Sequence, residues 1–592
     1  MNYENMTQHQ SNRKIKVWNS IIILLSGIGL IVFIAVLSSQ VRQLILDYLA
    51  EHVIHKETSI NQEWNELFFK FSMFGIFSIL FFDYCTLANS GRALVQKVKQ
   101  DIKECLSEID FRSFLKPSFV LLGVYLLGIL TIIRANFLYR DDIGRAILGS
   151  RLWFLGSRYV SEIFSIFVHA DANLTEISPL PQLLAILFIT AASVLLVYVL
   201  TEKVTIIRLL ASIPLGLSPF FLENLSYKFD APYMALSILV SIVPFLFIAR
   251  KKAFLFVSIV SLLIMCMLYQ AASGIYMMII VVLCFLYWNK GEKTIKEIFS
   301  FLGIAAFAFC FAMLLFRFFL MKPFPEYSPY ASSAMLPASR IISGTLGNIK
   351  DHAMIINNDL GMIWKTGIVI VLLFFIIKSI YSSAQRKIFS FFISILVIAL
   401  SFILSYGVYS VLTIPLYHPR ALLGFGVFLS IMCIIVSDFK KIAAVAVLAL
   451  NWCFLIFAFS YGNALADQAR YAEFRISILL HDLSALNFDR SEDDMLVQIN
   501  NSIDFTPSVK NIAKHDPIIE RLVPCRLNDY YFDYIYCFNY FNYYKQFHFN
   551  NLENEGMQSF IDFNSLDLPV VLDSYYHTIK SDGKRILIIL KH

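Results

Sequence analysis

Charge is what this sequence has least of. Only 16% of its 592 residues are Asp, Glu, Lys or Arg, against 58% hydrophobic; a soluble domain carries about 25% charged and 45–50% apolar residues. In water such a chain would expose far too much hydrocarbon, so a soluble globular fold is excluded and lipid must be its solvent. The net charge of +6 is small for the length. No dense basic stripe exists outside the short loops, so nucleic acid is not an expected partner. Walker loops, a G-x-G-x-x-G after a strand, H-E-x-x-H and G-x-S-x-G are all missing, which removes support for ATP, dinucleotide and zinc-hydrolase chemistry. No C-x-x-C or Cys/His cluster suggests a metal site. Charges within the apolar runs are scarce, against an ion-coupled pump. No internal repeat is evident, against a secondary transporter.

The nine cysteines are scattered. Cys85, Cys266, Cys284, Cys310, Cys433 and Cys453 lie in apolar stretches and read as small core residues. Cys525 and Cys537 sit in the polar tail. A disulfide between them is allowed if the tail faces an oxidising compartment; two unpaired buried thiols fit equally well.

What is present is a series of long apolar runs. They predict spans near 18–37, 67–89, 117–134, 180–200, 204–222, 231–249, 253–270, 273–288, 299–320, 361–380, 388–410, 420–436 and 441–461. The weakest division is between 253–270 and 273–288, marked only by Gln270, Ala271, Ala272, Ser273 and Gly274. Arg13, Lys14 and Lys16 precede the first run, and no A-x-A-like site follows it, so it reads as an uncleaved helix. Alternating from a cytoplasmic N-terminus places every basic cluster inside, including Arg92 to Lys116, Arg250-Lys251-Lys252, Lys290 to Lys296, Lys378 to Lys387 and Lys440-Lys441. The expected fold is therefore a polytopic α-helical membrane protein of about thirteen transmembrane helices, N-terminus in and C-terminus out, with a small C-terminal α/β domain. Its expected parts are a two-helix extension with a cytoplasmic loop (1–116), a transmembrane core (117–461) and an outward domain (462–592). That domain is expected to open with a helix over 467–486. It should close with a hairpin whose arms, 568–576 and 585–591, flank an Asp582-Gly583 turn.

Three larger segments then face outward: 135–179, 321–360 and the tail. The first opens with Tyr139-Arg140-Asp141-Asp142-Ile143-Gly144-Arg145, two adjacent carboxylates just beyond a membrane boundary. An amphipathic stretch over 143–168 follows, carrying Arg151, Arg158 and Glu162 among apolar residues, as in a helix lying in the interface. A carboxylate beside cations at a membrane surface can take a proton from a sugar hydroxyl while the cations hold a phosphate leaving group. The same pair would also serve as a helix cap, with the arginines on lipid headgroups. Glu223, Lys228 and Asp230 occupy a short outward loop over 221–231. His418-Pro419-Arg420 opens a late span from the outward side, where an arginine either holds a phosphate or snorkels to headgroups. Tyr269 and Gln270 end another span on that side, and Arg340 lies in the second large loop.

These motifs recur in one order: Tyr139-Arg140-Asp141-Asp142; then Gly144, Trp153 and Gly156; Glu223-Asn224-Leu225-Ser226-Tyr227-Lys228-Phe229-Asp230; Tyr269-Gln270-Ala271-Ala272-Ser273-Gly274; and Pro419-Arg420. With an outward C-terminal domain, the pattern resembles the bacterial O-antigen glucosyltransferases of serotype conversion, often prophage-encoded, within the GT-C class of membrane glycosyltransferases. The resemblance covers most of the chain from about 115 onward. It implies an undecaprenyl-phosphate sugar donor, usually glucose, with no cofactor and no obligatory metal. It implies an O-antigen repeat as acceptor at the periplasmic face of the inner membrane, membrane lipids around the spans, and a flippase and a donor synthase as partners. The implied reaction is an inverting displacement with a carboxylate base, here Asp142 in preference to Asp141. Asp230 would be a second acid, and Arg140, Arg420, Lys228 and Gln270 would bind donor phosphate or substrate. If the first two spans are not an extension, Glu51, Glu63 or Glu66 of the 38–66 loop compete as base. An O-antigen polymerase or ligase working from the 321–360 loop, and a lipid-linked sugar flippase, are the alternatives.

Overall fold

Apolar runs bounded by polar caps give helices almost throughout the computed structural model, which describes residues 89–321, 334–486, 496–525 and 563–591. The expected spans at 18–37 and 67–89 (up to residue 88), the glutamates of the 38–66 loop, part of the 321–360 loop, Cys85 and Cys537 lie outside the described residues.

All eleven core spans expected from the sequence have helical counterparts. Among the described residues nine helices are long and apolar enough to cross a membrane, or ten if one bent pair counts as a span. They are Phe111–Ala135, Leu180–Thr201, Lys251–Leu268, Gln270–Lys290, Ile295–Leu320, Met362–Tyr381, Lys387–Leu404, Pro419–Val436 and Lys441–Ala485. The protein is thus a polytopic helical membrane protein with a small C-terminal sheet.

Two expected spans take other forms. The 204–222 run breaks into Ile206–Leu217 and Pro219–Ser226, bent by 62°. Ser218 causes the break: its backbone is extended, its hydroxyl accepts the Phe221 N–H at 3.3 Å, and Pro219 occupies the first position of the next helix. The 231–249 run becomes a twelve-residue α-helix, Ala231–Ile242, continued by a 3-10 turn.

Helix Gly424–Val436 is buried at all of its positions, so its apolar residues are needed on every face. Helix Phe111–Ala135 lies along Lys441–Ala485. The Thr131 hydroxyl donates to the Ala458 carbonyl at 3.2 Å, and Gly462 leaves room for Thr131 where any Cβ would collide with it. The Gln270–Lys290 helix approaches the Leu404 carbonyl through Gly274 for the same reason. Asp110 caps Phe111–Ala135 at its start, accepting the Arg112 N–H at 3.2 Å, and Asn136 in the left-handed conformation ends it.

Polar contacts gather at the two ends of the bundle. At one end lie Arg250 on Glu104 (3.0 Å), Arg208 and Lys378 on Asp438, and Asn289 on the Ser379 carbonyl (2.9 Å). At the other lie the 135–179 loop and its partners.

The last helix corrects an expectation. Lys441–Ala485 is one helix of 45 residues, not a span followed by a separate helix over 467–486. At 1.5 Å per residue it is about 67 Å long, twice the ~30 Å hydrocarbon layer. Gly462 does not interrupt it, because Asn463, Ala464, Leu465 and Ala466 after it all tolerate helix.

On its far half rests a four-stranded sheet. The strands are β1 (Leu496–Asn500), β2 (Val570–Asp573), β3 (His577–Ser581) and β4 (Arg585–Leu590), in the order β1-β4-β3-β2, with β1 parallel to β4 and the other pairs antiparallel. The hairpin turn at Asp582-Gly583 is as expected. Its first arm is β3 rather than 568–576, because the chain reverses once more at 574–576. Arg475 ties helix to sheet, donating to the carbonyls of Tyr576 (2.8 Å) and Lys591 (2.7 Å).

His352 is expected to make the fold acid-sensitive. It is fully buried in helix Ile341–Asp359, stacks on Tyr406 with centroids 4.5 Å apart, and has Nε2 3.3 Å from the Ser405 hydroxyl. Burial pulls its pKa from 6.5 down to about 4. The unfolded chain binds a proton that the folded chain refuses. The neutral ring's contribution is therefore whole above about pH 6.5 and is lost as pH falls toward about 4. Thermal unfolding in detergent should shift down between about pH 7 and about pH 5, and His352→Phe should shrink that shift. An undiminished shift in the variant would refute this role.

Candidate active site

The 135–179 loop is built from short pieces rather than one interfacial helix. After Asn136 the chain runs extended to Arg140, whose φ of 44° is a strained conformation for a residue with a side chain. Helix Asp141–Leu148 then starts with both carboxylates in its first turn. A 3-10 turn (Trp153–Gly156) and helix Tyr159–His169 follow. Gly149, Leu152 and Ser157, all with positive φ, separate the pieces. Ile163 and Phe167 on the last helix are exposed, as an interfacial helix requires.

Three of the expected site residues form a frame. Asp142 is fully buried, and its carboxylate accepts backbone N–H groups of Tyr139 (3.0 Å), Lys228 (3.0 Å) and Phe229 (3.4 Å). Burial pushes its carboxyl well above the usual carboxylate range, opposed by the first two of those N–H groups. Asp230 accepts the Trp153 indole N–H and lies 3.2 Å from Arg145 Nε, whose guanidinium stacks 4.1 Å from the Trp153 ring centre. The Lys228 ammonium is taken up by Asn136 (2.6 Å) and Glu176 (2.9 Å). Together these contacts bind the 135–179 loop to the 227–230 segment.

A second group surrounds Tyr227. Its ring lies edge-on to Tyr139, with centroids 4.8 Å apart, and under the Arg420 guanidinium at 5.0 Å. Arg420 also donates to the Tyr227 hydroxyl. Glu223, fully buried, accepts the Arg420 backbone N–H (2.5 Å) and the Tyr139 hydroxyl (3.2 Å), and stands 3.9 Å from Arg140 Nε. Asp141 is half-buried at the head of its helix. Burial pushes the Tyr227 hydroxyl well above its usual range, Arg420 opposes the rise, and the Glu223 and Asp141 carboxylates add to it. His418 keeps part of its ring open to solvent, yet the surrounding protein, then Arg420, Arg140 and Arg521, hold its pKa down to about 3. It is therefore a neutral group between cations at any physiological pH.

Further along, Arg158 stacks 4.8 Å from the Tyr269 ring centre, and the Gln270 amide donates to the Gly156 carbonyl at 3.0 Å. The tail reaches in as well. Tyr139 donates to the Leu522 carbonyl at 2.8 Å, and Arg521 binds Asp359 and the Tyr417 carbonyl.

Of the expected residues, Arg420 stacks on Tyr227, Arg140 stands by Glu223 and Tyr139, and Asp141 opens the helix beside them. Asp142, Asp230 and Lys228 frame them, and Gln270 borders them. The sequence offers Glu223 as a site candidate in an outward loop, with Lys228 and Asp230. The Ser218-Pro219 start signal places it on a helix inside the protein. Tyr139 and Tyr227 stand inside the recurring motifs but carry no assigned role there, because aromatic residues are everywhere in this chain. Two cations beside a half-buried carboxylate can hold a phosphate dianion and accept a proton. Among the described residues no group of three or more His, Cys, Asp or Glu side chains could hold a metal ion.

The model of one family, described as glucosyl transferase GtrII, matches residues 130–431. That span includes every side chain placed around Tyr227 except those of the last helix and tail. A protein of Salmonella phage P22, described as an uncharacterized 55.3 kDa protein in the gtrB 5' region, is 23% identical over 432 residues, 69% of this chain and 87% of its own length. No solved structure matches. With more than half of its length matched, this chain belongs to the glucosyl transferase GtrII family.

Proposed function

We propose that the protein transfers a glucosyl group from undecaprenyl phosphate to an O-antigen repeat, at the periplasmic face of the bacterial inner membrane. The observation that carries this reading is the Arg420 guanidinium over Tyr227 with Arg140 beside Glu223, next to the helix that Asp141 opens, inside the family-matched part of the chain. An acceptor hydroxyl attacks the anomeric carbon and gives its proton to Asp141. The bond from that carbon to the phosphate oxygen breaks, and undecaprenyl phosphate leaves with inverted configuration at carbon. Arg140 and Arg420 hold the phosphate charge as it grows. Of the acidic pair, Asp141 takes the role of base, because the oxygens of Asp142 are already held by backbone N–H groups in a fully buried site. The donor is itself the activated group, so the scheme calls for no cofactor.

In this reading the N-terminus is cytoplasmic and the sheet lies in the periplasm. The partners are the lipid-linked donor, the O-antigen acceptor, the surrounding lipids, and the flippase and synthase that supply the donor.

The test is the mass of the O-antigen repeat in cells with and without the protein. A gain of one hexose per repeat is expected. An unchanged repeat with altered chain length would favour a polymerase or ligase, and no change at all a flippase.

A further inference from the structure

The acidic helix does not stand alone. Asp141–Leu148 has eight residues, too few to be stable in isolation. Ile143, four residues from Ile147, shares a stripe with it, and Asp141 lies on the opposite side of the helix. Ile143 is 3% exposed, and the other buried members of its cluster all come from the C-terminal domain, among them Ile476 and Leu479 of the long helix, Ile499 of β1 and Ile588 of β4. Leu138 and Ile147 pack against the same cluster. The loop is held from the tail at a second point, where the Tyr139 hydroxyl meets the Leu522 carbonyl 383 residues away. The sheet thus takes the Ile143 and Ile147 face of the acidic helix, and Asp141 stands on the face away from it.

We infer that the C-terminal domain is a clamp that aims Asp141, with Ile143 as the positioning residue that transmits its grip. This rests on the reading of Asp141 as the base. A clamp acts on the rate of the chemical step and not on the hold on either substrate.

The test uses the full chain in detergent, with glucosyl undecaprenyl phosphate and a lipid-linked repeat as substrates. Ile143→Ser should lower kcat on the order of 10²-fold, the usual cost of a misplaced reacting group, with KM for both substrates little changed. Ile143→Val should keep most of the rate, and amide exchange over 139–148 should quicken in Ile143→Ser. Ile476→Ala, on the other side of the contact, gives the same reading if Ile143→Ser accumulates poorly. Wild-type kcat with a raised acceptor KM would overturn the clamp and make the domain an acceptor-gripping module. Unchanged exchange over 139–148 would overturn it too. Asp141→Asn, assayed alongside, separates the two ideas. If it retains transfer, the base assignment falls; if it is inactive while Ile143→Ser keeps full kcat, only the clamp falls.

Discussion

Asp141→Asn is expected to abolish glucosyl transfer while leaving the protein folded. The amide matches the carboxylate in shape but cannot take a proton, and losing a general base costs about 10²–10⁴-fold. In cells the repeat should lose the added hexose, and in detergent kcat should fall with donor KM retained. Asp142→Asn should behave differently. Its carboxylate accepts three backbone N–H groups in a fully buried site, and the amide would turn a donor toward one of them. The expected loss is stability, about 1–3 kcal/mol for an unmet buried group, read as a lower unfolding temperature and less protein, with transfer per folded molecule retained. The reverse pattern, activity lost in Asp142→Asn and kept in Asp141→Asn, would exchange the two roles.

The second large effect is expected at Arg420. Its backbone N–H donates to Glu223, a link that Arg420→Ala leaves in place. What goes is the guanidinium over Tyr227, the cation that the proposed mechanism sets on the leaving phosphate. Removing such a group costs on the order of 10²–10³-fold in kcat. Arg420→Lys restores charge without the planar fork and should recover only part of the rate. Binding of undecaprenyl phosphate should weaken in Arg420→Ala; undiminished binding would end the phosphate role and leave snorkelling to headgroups as the explanation.

Hydropathy alone located the core spans, because a lipid-filled surround leaves few ways to arrange long apolar runs. It could not see the bend at Ser218, since averaging over twenty residues hides a cap inside an apolar run. Nor could it see that the last span continues unbroken into the soluble domain, because polarity changes at residue 462 while helix propensity does not. Charges at span ends were legible, which is why Arg140, Asp141, Asp142 and Arg420 stood out. The contacts that set the two aspartates apart were not. Asp142 is bound to a backbone 86 residues away, and Asp230 to an indole 77 residues away. No spacing rule reads such contacts. The partners of the Lys228 ammonium, Asn136 and Glu176, were hidden for the same reason: they lie 92 and 52 residues off.

The strand order of the terminal sheet has a bearing on how the molecule is made. β4, the latest of the four strands in the chain, is not at an edge; it lies between β1 and β3 and pairs with both. Until residues 585–590 have emerged from the ribosome, β1 has no partner and Ile588 is missing from the cover over Ile143. The acidic loop, inserted hundreds of residues earlier, therefore waits through nearly the whole of synthesis for its last packing partner. A nascent chain stalled before β4 would sit in the bilayer with its helices in place and two strand edges open to aggregation.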